Sequence, residues 1–189
     1  MKLEDVQKMI KSRRSVFPDS YIDKSISKEV LMELLDCANQ APTHKLTQPW
    51  RFKVFREGGL ERLANELVEQ YLKVTPKELF LQKKSDSIRK KVMSSGAVMA
   101  ICMRLSGKIP EWEEVAAVAC AVQNMWLAAS VQSIGAYWST PSLIAALNPF
   151  LGLEADEKCI GLFYMGYHLE SPKAGNRTPI AEKTVFIED

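Results

Sequence analysis

The chain has 189 residues, of which 47% are hydrophobic and 25% are charged, and its formal net charge is +2. This composition excludes a disordered chain, and the small net charge gives no global attraction to nucleic acid or to an anionic membrane surface. The length predicts one folded domain over residues 1–189. Any anion-binding site must therefore be local.

The first half of the chain predicts three helices and a strand. Apolar residues at helical spacing predict a helix over residues 5–14. Ser27 is a suitable N-cap for a second helix over residues 28–39. The alternating sequence RFKVFR predicts a strand over residues 51–56, and a third helix is predicted over residues 60–72.

The second half begins with a polar segment of mixed charge, residues 73–95. We expect it to be a connection with one or two helical pieces, of the kind that often covers an active site. The elements predicted after it are a strand at 97–103, a helix at 110–133, a strand at 136–138, a short helix at 142–150 and a strand at 159–167.

The order of these elements predicts the fold class. Helices and strands are mixed without a regular βαβ repeat, which favours an α+β fold with a small sheet packed between helices. The tail over residues 170–189 has too few apolar residues to fold alone, so we expect it to lie along another surface.

No membrane-spanning or exported segment is expected. The most apolar stretch, residues 115–134, is interrupted by polar side chains and predicts a buried core or interface helix. The first 14 residues lack the long apolar centre of a signal peptide. We therefore expect a cytoplasmic protein.

The cysteines and histidines predict neither a disulfide nor a metal site. The four cysteines form no C-x-x-C pair and each lies in an apolar segment, which predicts buried free thiols in a reducing compartment. The two histidines are far apart and show no metal-ligand spacing, so no metal is expected. The cysteines are Cys37, Cys102, Cys120 and Cys159, and the histidines are His44 and His168.

The stretch KSRRSVFP, at residues 11–18, places Arg13, Arg14 and Ser15 at the end of the first helix. Arginines suit a helix C-terminus because exposed carbonyls and the negative end of the dipole lie there. A site for a negatively charged ligand is the alternative. Both arginines could serve one ligand only if the chain leaves the helix at this point, because adjacent helical side chains diverge by about 100°.

A second stretch, NQAPTHKLTQPWRF at residues 39–52, is a polar loop that leads into the strand with an anchoring tryptophan. Taken alone it is an ordinary loop, and His44 is an ordinary surface histidine. In order, R-R-S followed about 25 residues later by A-P-T-x(4)-Q-P-W-x-F resembles the FMN-dependent nitroreductase family, especially its members under about 200 residues. The long Ala-rich helix, Trp138-Ser139-Thr140 and the strand GLFYMGY at 161–167 extend the resemblance over nearly the whole chain.

The resemblance implies an α+β fold, an intertwined homodimer and two FMN molecules at the subunit interface. It implies that Arg13, Arg14 and Ser15 hold the flavin phosphate and ribityl chain, and that Arg177 completes the phosphate site. It further implies contacts to the ring from Trp138, Ser139 and Thr140, and contacts from the partner chain by Gln40 and His44.

The activity implied by the resemblance is ping-pong hydride transfer from NADH or NADPH to an electron-poor acceptor such as a nitroaromatic compound or a quinone. FMN would carry this chemistry, so no catalytic protein residue is expected. Two alternatives stay open. One is a flavoenzyme of the same fold with different chemistry, such as a dehalogenase, a dehydrogenase of an activated C–C bond or a flavin-fragmenting enzyme. The other is a non-catalytic dimer that binds flavin. Neither nucleic acid nor a membrane is expected as a partner.

Two positions depart from the family pattern. Phe17 stands where many members have a basic residue, and Leu46 stands where larger members have an asparagine. The groups that serve the pyrimidine edge of the flavin are therefore open, with Lys45 and His44 as candidates.

Overall fold

The computed structural model describes residues 2–169 and 175–188. Its described strands form one antiparallel sheet in the order β1-β2-β4-β3. The strands are β1 (Trp50–Phe55), β2 (Ala97–Arg104), β3 (Ile134–Ser139) and β4 (Glu157–Tyr167). The helices are α1 (Leu3–Ser12), α2 (Lys28–Asn39), α3 (Gly58–Val74), α4 (Gln82–Met93) and α5 (Glu111–Val131).

The sheet lies between two helical layers. Alternate residues of β2 point to opposite faces, as the period of a strand requires. Met99 and Ile101 pack in one core cluster with residues of α2 and α5, while Val98 packs in a second cluster with residues of α3 and α4. The predicted α+β architecture is therefore confirmed.

Helix α2 begins and ends where the sequence predicts. The Ser27 hydroxyl accepts a hydrogen bond from the Val30 N–H at 3.3 Å and caps the first turn. Leu31, Leu34 and Ala38 are buried on one face of the helix. The N-cap and one apolar stripe were sufficient to predict the bounds of this helix.

Segment 73–95 contains helical pieces, as predicted. It contains a short 3-10 turn at Lys77–Leu79 and the complete helix α4, of which only Ser85 and Val92 are buried. A helix with so narrow a buried face has weak apolar periodicity. The short helix predicted at 142–150 was too long, because the regular turn spans only Ile144–Leu147. Pro149 lacks the N–H group that a longer helix would use there.

Helix α5 is a core helix. It is the one described helix that by length and composition could cross a membrane. Its residues Val118, Ala121, Val122 and Met125 are nevertheless buried in the core cluster that it shares with α2 and the sheet. The prediction of a buried core helix is confirmed.

The prediction that all the cysteines are buried was wrong. Cys102 and Cys159 are buried opposite each other on β2 and β4, but Cys120 is half-buried and Cys37 is exposed. Cys37 lies off the apolar stripe of α2, so the apolar segment around it gave a misleading signal. All four thiols are free.

The described part of the tail, residues 175–188, is exposed throughout. It carries a 3-10 turn at Ile180–Lys183, and Phe186 is 81% exposed. Residues 170–174, which the predicted tail includes, lie outside the described residues. The surface that this tail would cover is therefore not supplied by the described part of the same chain.

Candidate functional site

Arg13 marks the point at which the chain leaves α1. Its N–H donates to the Met9 carbonyl at 3.3 Å, as in a helix, but its ψ of 129° is extended. The arginines therefore do not sit one after the other on a helix surface. Helix α1 ends two residues earlier than predicted, and the extended backbone frees both side chains to turn toward one region.

The residues after the arginines run beside β3. Ser15 forms a parallel bridge with Ala136, and the Val16 N–H donates to the Ala136 carbonyl at 3.0 Å. Gly135 permits this approach, because a Cβ atom on it would lie 2.6 Å from the Cβ of Val16. Ser15 is therefore fixed against the strand that ends in the Trp138-Ser139 sequence.

Tyr21 holds the same segment from the other side. Its hydroxyl lies 2.8 Å from the carbonyl oxygen of Val16 and 3.1 Å from that of Tyr164 on β4. Burial raises the pKa of Tyr21 above its ordinary value, so this hydroxyl is a permanent donor at neutral pH. The chain after the arginines is thus tied to β3 and to β4.

Three guanidinium groups gather at this edge of the sheet. Burial first, and then the positive charges of Arg14 and Arg177, lower the pKa of Arg13. Gly175 lies against Arg14, since a Cβ atom on it would be 2.9 Å from the Nε of Arg14. Like charges brought together are costly unless an anion neutralises them. This donor set fits a phosphate group, because guanidinium groups bind phosphate oxygens in pairs.

The side chains of residues 138–140 lie in different surroundings at the end of β3. The indole of Trp138 packs into the core cluster of α2 and α5 and lies over Gly161, where a Cβ atom would overlap it. Its buried Nε1 has no hydrogen-bond partner in the described part of the chain. Ser139 faces the opposite side of the sheet, and Thr140 is exposed just beyond the strand.

A cavity of about 550 Å³ opens between α3, α4 and the end of β3. Its walls combine aromatic side chains with lysines and hydroxyl groups, including Tyr71, Lys84, Lys91, Tyr137, Ser139 and Tyr164. The sequence reasoning assigned no role to Lys84 or Lys91. Their spacing with Ser87 and Ile88, at i, i+3, i+4 and i+7, is the signal that could have placed them on one face of a helix.

The loop that contains His44 lies against the first turn of α5. Nδ1 of His44 donates to the Glu113 carboxylate at 2.6 Å, in the first turn of α5. Gln40 is the exposed C-cap of α2. The loop is braced by the Gln48 N–H, which donates to the Thr43 hydroxyl at 3.1 Å, and by the buried indole of Trp50, which donates to Asn39 at 3.0 Å.

The backbone of this loop is strained. Lys45, Leu46 and Gln48 all have positive φ values, between 43° and 52°, although none is glycine. Such strain costs of order 1–3 kcal/mol per residue and is concentrated at functional sites. The bracing hydrogen bonds maintain the conformation and leave Lys45 and Leu46 exposed.

The two groups of predicted residues lie at different ends of α5. Arg13 packs on Trp126, whereas His44 binds Glu113, thirteen positions earlier in the same helix. That separation corresponds to about 20 Å along the helix axis. The structure thus brings Arg13, Arg14 and Arg177 together, with Ser15 next to them, but leaves His44 at the far end. Gln40 follows Cys37, whose carbonyl accepts a hydrogen bond from Asn124 in the later part of α5 at 3.3 Å.

Phe17 and Leu46, the two positions that depart from the family pattern, both have exposed side chains. Phe17 is 56% exposed, and its ring lies 4.9 Å from that of Tyr137 at the cavity wall. Leu46 lies on the exposed part of the strained loop. Neither side chain can donate a hydrogen bond, and Phe17 makes an aromatic contact instead.

A sheet between two helical layers, with arginines whose guanidinium groups suit a phosphate at its edge, defines the class as α+β. A profile of the nitroreductase family matches residues 10–167. The chain belongs to the nitroreductase family.

Known proteins resemble the chain along nearly its full length. YfhC of Bacillus subtilis, which bears a provisional name as an NAD(P)H nitroreductase, is 26% identical over 93% of this chain and 90% of its own. A nitroreductase-like family protein from Bacillus cereus has a TM-score of 0.87 and 28% identity, covering 100% of this chain and 99% of its own. The FMN-dependent nitroreductase NfnB from Mycobacterium smegmatis, solved in complex with NADPH, has a TM-score of 0.72 and 17% identity, covering 98% and 99%.

Proposed function

We propose that this protein is an FMN-dependent oxidoreductase that takes hydride from NADH or NADPH and passes it, in ping-pong order, to electron-poor acceptors such as nitroaromatic compounds or quinones. The observation that carries the proposal is the cluster of Arg13, Arg14 and Arg177 in a chain of the nitroreductase family. NfnB, described as FMN-dependent and bound to NADPH, supports the choice of both cofactors.

Arg13, Arg14 and Arg177 would hold the phosphate of FMN, and the Ser15 hydroxyl would bind the phosphate or the ribityl chain. An FMN phosphate carries close to two negative charges near neutral pH, so it would neutralise most of the charge that the arginines bring together. Charge-assisted hydrogen bonds of this kind are about twice as strong as neutral ones. The backbone bridge of Ser15 to Ala136 keeps its hydroxyl beside β3.

The ring of FMN would lie against the end of β3, at Trp138, Ser139 and Thr140. When bound, FMN supplies the hydride chemistry, and the chain supplies position and electrostatics. His44 and Lys45 of the partner subunit's loop would donate to the pyrimidine edge, in place of the basic residue absent at Phe17. Gln40 lies at the start of the same loop.

Two chains are needed for this site. His44 and Arg13 are too far apart along α5 for one chain to place both on one flavin. A two-fold axis would bring the first turn of one α5 beside the later turns of the other and complete two equivalent sites. Exposed apolar side chains on α5 and on the tail, among them Trp112, Val131 and Phe186, are suitable for burial in such a homodimer.

The four free thiols favour the cytoplasm, because an oxidising compartment would leave Cys37 exposed to unwanted pairing. Nucleic acid is not a partner in this proposal, since the net charge is only +2. In this proposal residues 1–189 form one folding unit, and each FMN site combines residues from two such units.

A visible absorption spectrum tests the proposal directly. The purified protein should be yellow, and NADH or NADPH should bleach the flavin absorbance under anaerobic conditions. A nitroaromatic compound or a quinone should then restore it. Colourless protein that also fails to take up added FMN contradicts the proposal, whereas bound FMN that no nicotinamide bleaches would indicate a non-catalytic flavin-binding dimer.

A further inference from the structure

We propose that the cavity between α3, α4 and the end of β3 binds the electron acceptor, and that this acceptor is a planar aromatic acid whose anionic group is held by Lys84 and Lys91. The inference rests on the proposed function, because it names the class of acceptor that the same site receives.

The inner wall of the cavity is suited to an aromatic ring. Tyr137 and Tyr164 are stacked with 5.0 Å between their ring centroids and 16° between their planes. Leu67 and Leu143 line the same space. A volume of about 550 Å³ lies in the ordinary range for small-molecule sites. The wall therefore favours a flat, largely apolar ligand.

The mouth of the cavity is positive. Lys84 and Lys91 are seven positions apart on α4, so they lie on one face and about 10 Å apart along the axis. The ammonium group of Lys84 lies 5.0 Å from the ring centroid of Tyr71. None of the described residues that line the cavity is an aspartate or a glutamate. An acid group at the mouth would thus meet two cations and no competing carboxylate.

The acidic side chain of Asp19, which contacts α4, does not cancel this charge. Asp19 lies close enough to Lys91 for the lysine to lower the pKa of its carboxyl group, but the larger cause is Lys90. Lys90 donates to Asp19 at 2.8 Å and neutralises it on another face of α4. The Asp19 carboxylate is therefore paired with Lys90 and not with either lysine that lines the cavity.

The cavity also adjoins the predicted flavin contacts. Ser139 lines it and belongs to the Trp138–Thr140 segment that would meet the flavin ring. Tyr137 and Ser139 both line the cavity and are two positions apart on β3, which places the aromatic wall beside that segment. A ring inside the cavity would therefore lie next to the flavin while its acid group points to α4.

The experiment compares 4-nitrobenzoate with its neutral analogue 4-nitrobenzamide as acceptors for the purified protein. The wild type should prefer the acid in kcat/KM. Lys84→Gln and Lys91→Gln should each lower the ratio of acid to amide by roughly three- to tenfold, the effect of one partly screened charge contact. The matched control is Lys83→Gln, an exposed lysine of α4 that does not line the cavity, and it should leave the ratio unchanged.

Calorimetric titration of the purified protein with 4-nitrobenzoate needs no turnover. The proposal is supported if binding of 4-nitrobenzoate weakens in the two cavity variants but not in Lys83→Gln. This holds even if no nicotinamide oxidation is seen, and in that case only the proposed function fails. If the protein turns over acceptors without preferring the acid, and the variants bind 4-nitrobenzoate equally, the acceptor proposal is overturned. The proposed oxidoreductase function then still stands.

Two further outcomes overturn it. If the cavity variants weaken FMN binding and leave the ratio of acid to amide unchanged, the lysines belong to the flavin site. If they raise the KM for NADPH and not that for 4-nitrobenzoate, they belong to the dinucleotide site.

Discussion

The guanidinium group of Arg13 lies over the indole ring of Trp126, with 4.4 Å between its Cζ and the ring centroid. A cation–π contact of this kind is worth about 0.5–2 kcal/mol, depending on how far it is desolvated. It aligns the arginine against α5 before any ligand arrives. An oriented guanidinium loses less side-chain entropy when it binds an anion.

Arg13→Ala should weaken FMN binding by roughly 10- to 100-fold, because it removes charge-assisted hydrogen bonds worth about 1.5–3 kcal/mol in total. Trp126→Leu should weaken it less, since the arginine remains but loses its alignment. Quenching of FMN fluorescence on titration with protein measures both effects.

Lys11→Ala is the matched control for these variants, as it removes an exposed cation from the last turn of α1. Its FMN affinity should stay close to that of the wild type. Equal weakening in Lys11→Ala and Arg13→Ala would mean that net charge, not a phosphate site, governs binding.

A composite site between subunits should show complementation. Arg13→Ala and His44→Ala homodimers each damage both sites. When the two variants are co-expressed, random pairing gives some mixed dimers. In each mixed dimer, one of the two sites has native residues from both chains, and such sites make up about a quarter of all sites. Flavin content and NAD(P)H oxidation of the separated mixed dimer should therefore recover relative to either parent. No recovery in that dimer would place both residues in the same subunit's site.

Gly161→Ala should destabilise the fold by about 1–3 kcal/mol, because the new methyl group would overlap the indole of Trp138 in a packed core. Gly58→Ala provides the contrast, since no atom lies within 4 Å of the methyl group that it adds at the start of α3. That change should be neutral or slightly stabilising. Urea unfolding followed by circular dichroism distinguishes them, and similar midpoints for the two variants would contradict the packing described here.

Stability should fall in alkali. Burial is the largest cause that raises the pKa of Tyr21, Tyr137 and Tyr164 above the ordinary value of 10.0. Above about pH 10 the unfolded chain releases these phenolic protons while the folded chain keeps them. The unfolded state then binds fewer protons, so the free energy of unfolding decreases by up to about 1.4 kcal/mol per pH unit for each tyrosine. Below pH 10 the contribution is constant.

Urea titrations between pH 8 and about pH 11 measure this slope. Tyr21→Phe should be less stable at neutral pH by about 1 kcal/mol, because it loses a buried hydrogen bond. It should also show a shallower alkaline decline, since one of the perturbed groups is gone. An unchanged slope would exclude Tyr21 from the alkaline transition.

Elements with strong local signals were predicted well. Ser27 and one apolar stripe define α2, and an uninterrupted buried run defines β2. Helical pieces were predicted for segment 73–95, but the bounds of α4 were not, because only two of its residues are buried. The burial of Cys37 was predicted wrongly because segment hydrophobicity does not report helix phase. Periodicity, not average composition, carries the information about burial.

The site was less predictable than the fold. That Arg13 and Arg177 come together depends on how the tail returns to α1, which no local pattern encodes. The cavity lysines escaped notice because Lys84 and Lys91 occur among other charged residues in a segment assigned to a connection. The spacing of Lys84, Ile88 and Lys91 could have placed them on one helix face, but only the structure shows that this face lines the cavity.

The hydrogen bond from Val16 to Ala136 also closes an edge of the sheet. An open edge is a template for pairing with another chain, and here the residues that follow the arginines cover it. Anything that anchors Arg13 and Arg14 therefore also keeps that edge closed. The Tyr21 hydroxyl also holds this segment, through the Val16 carbonyl, so loss of that hydroxyl should loosen the segment and favour aggregation through this edge.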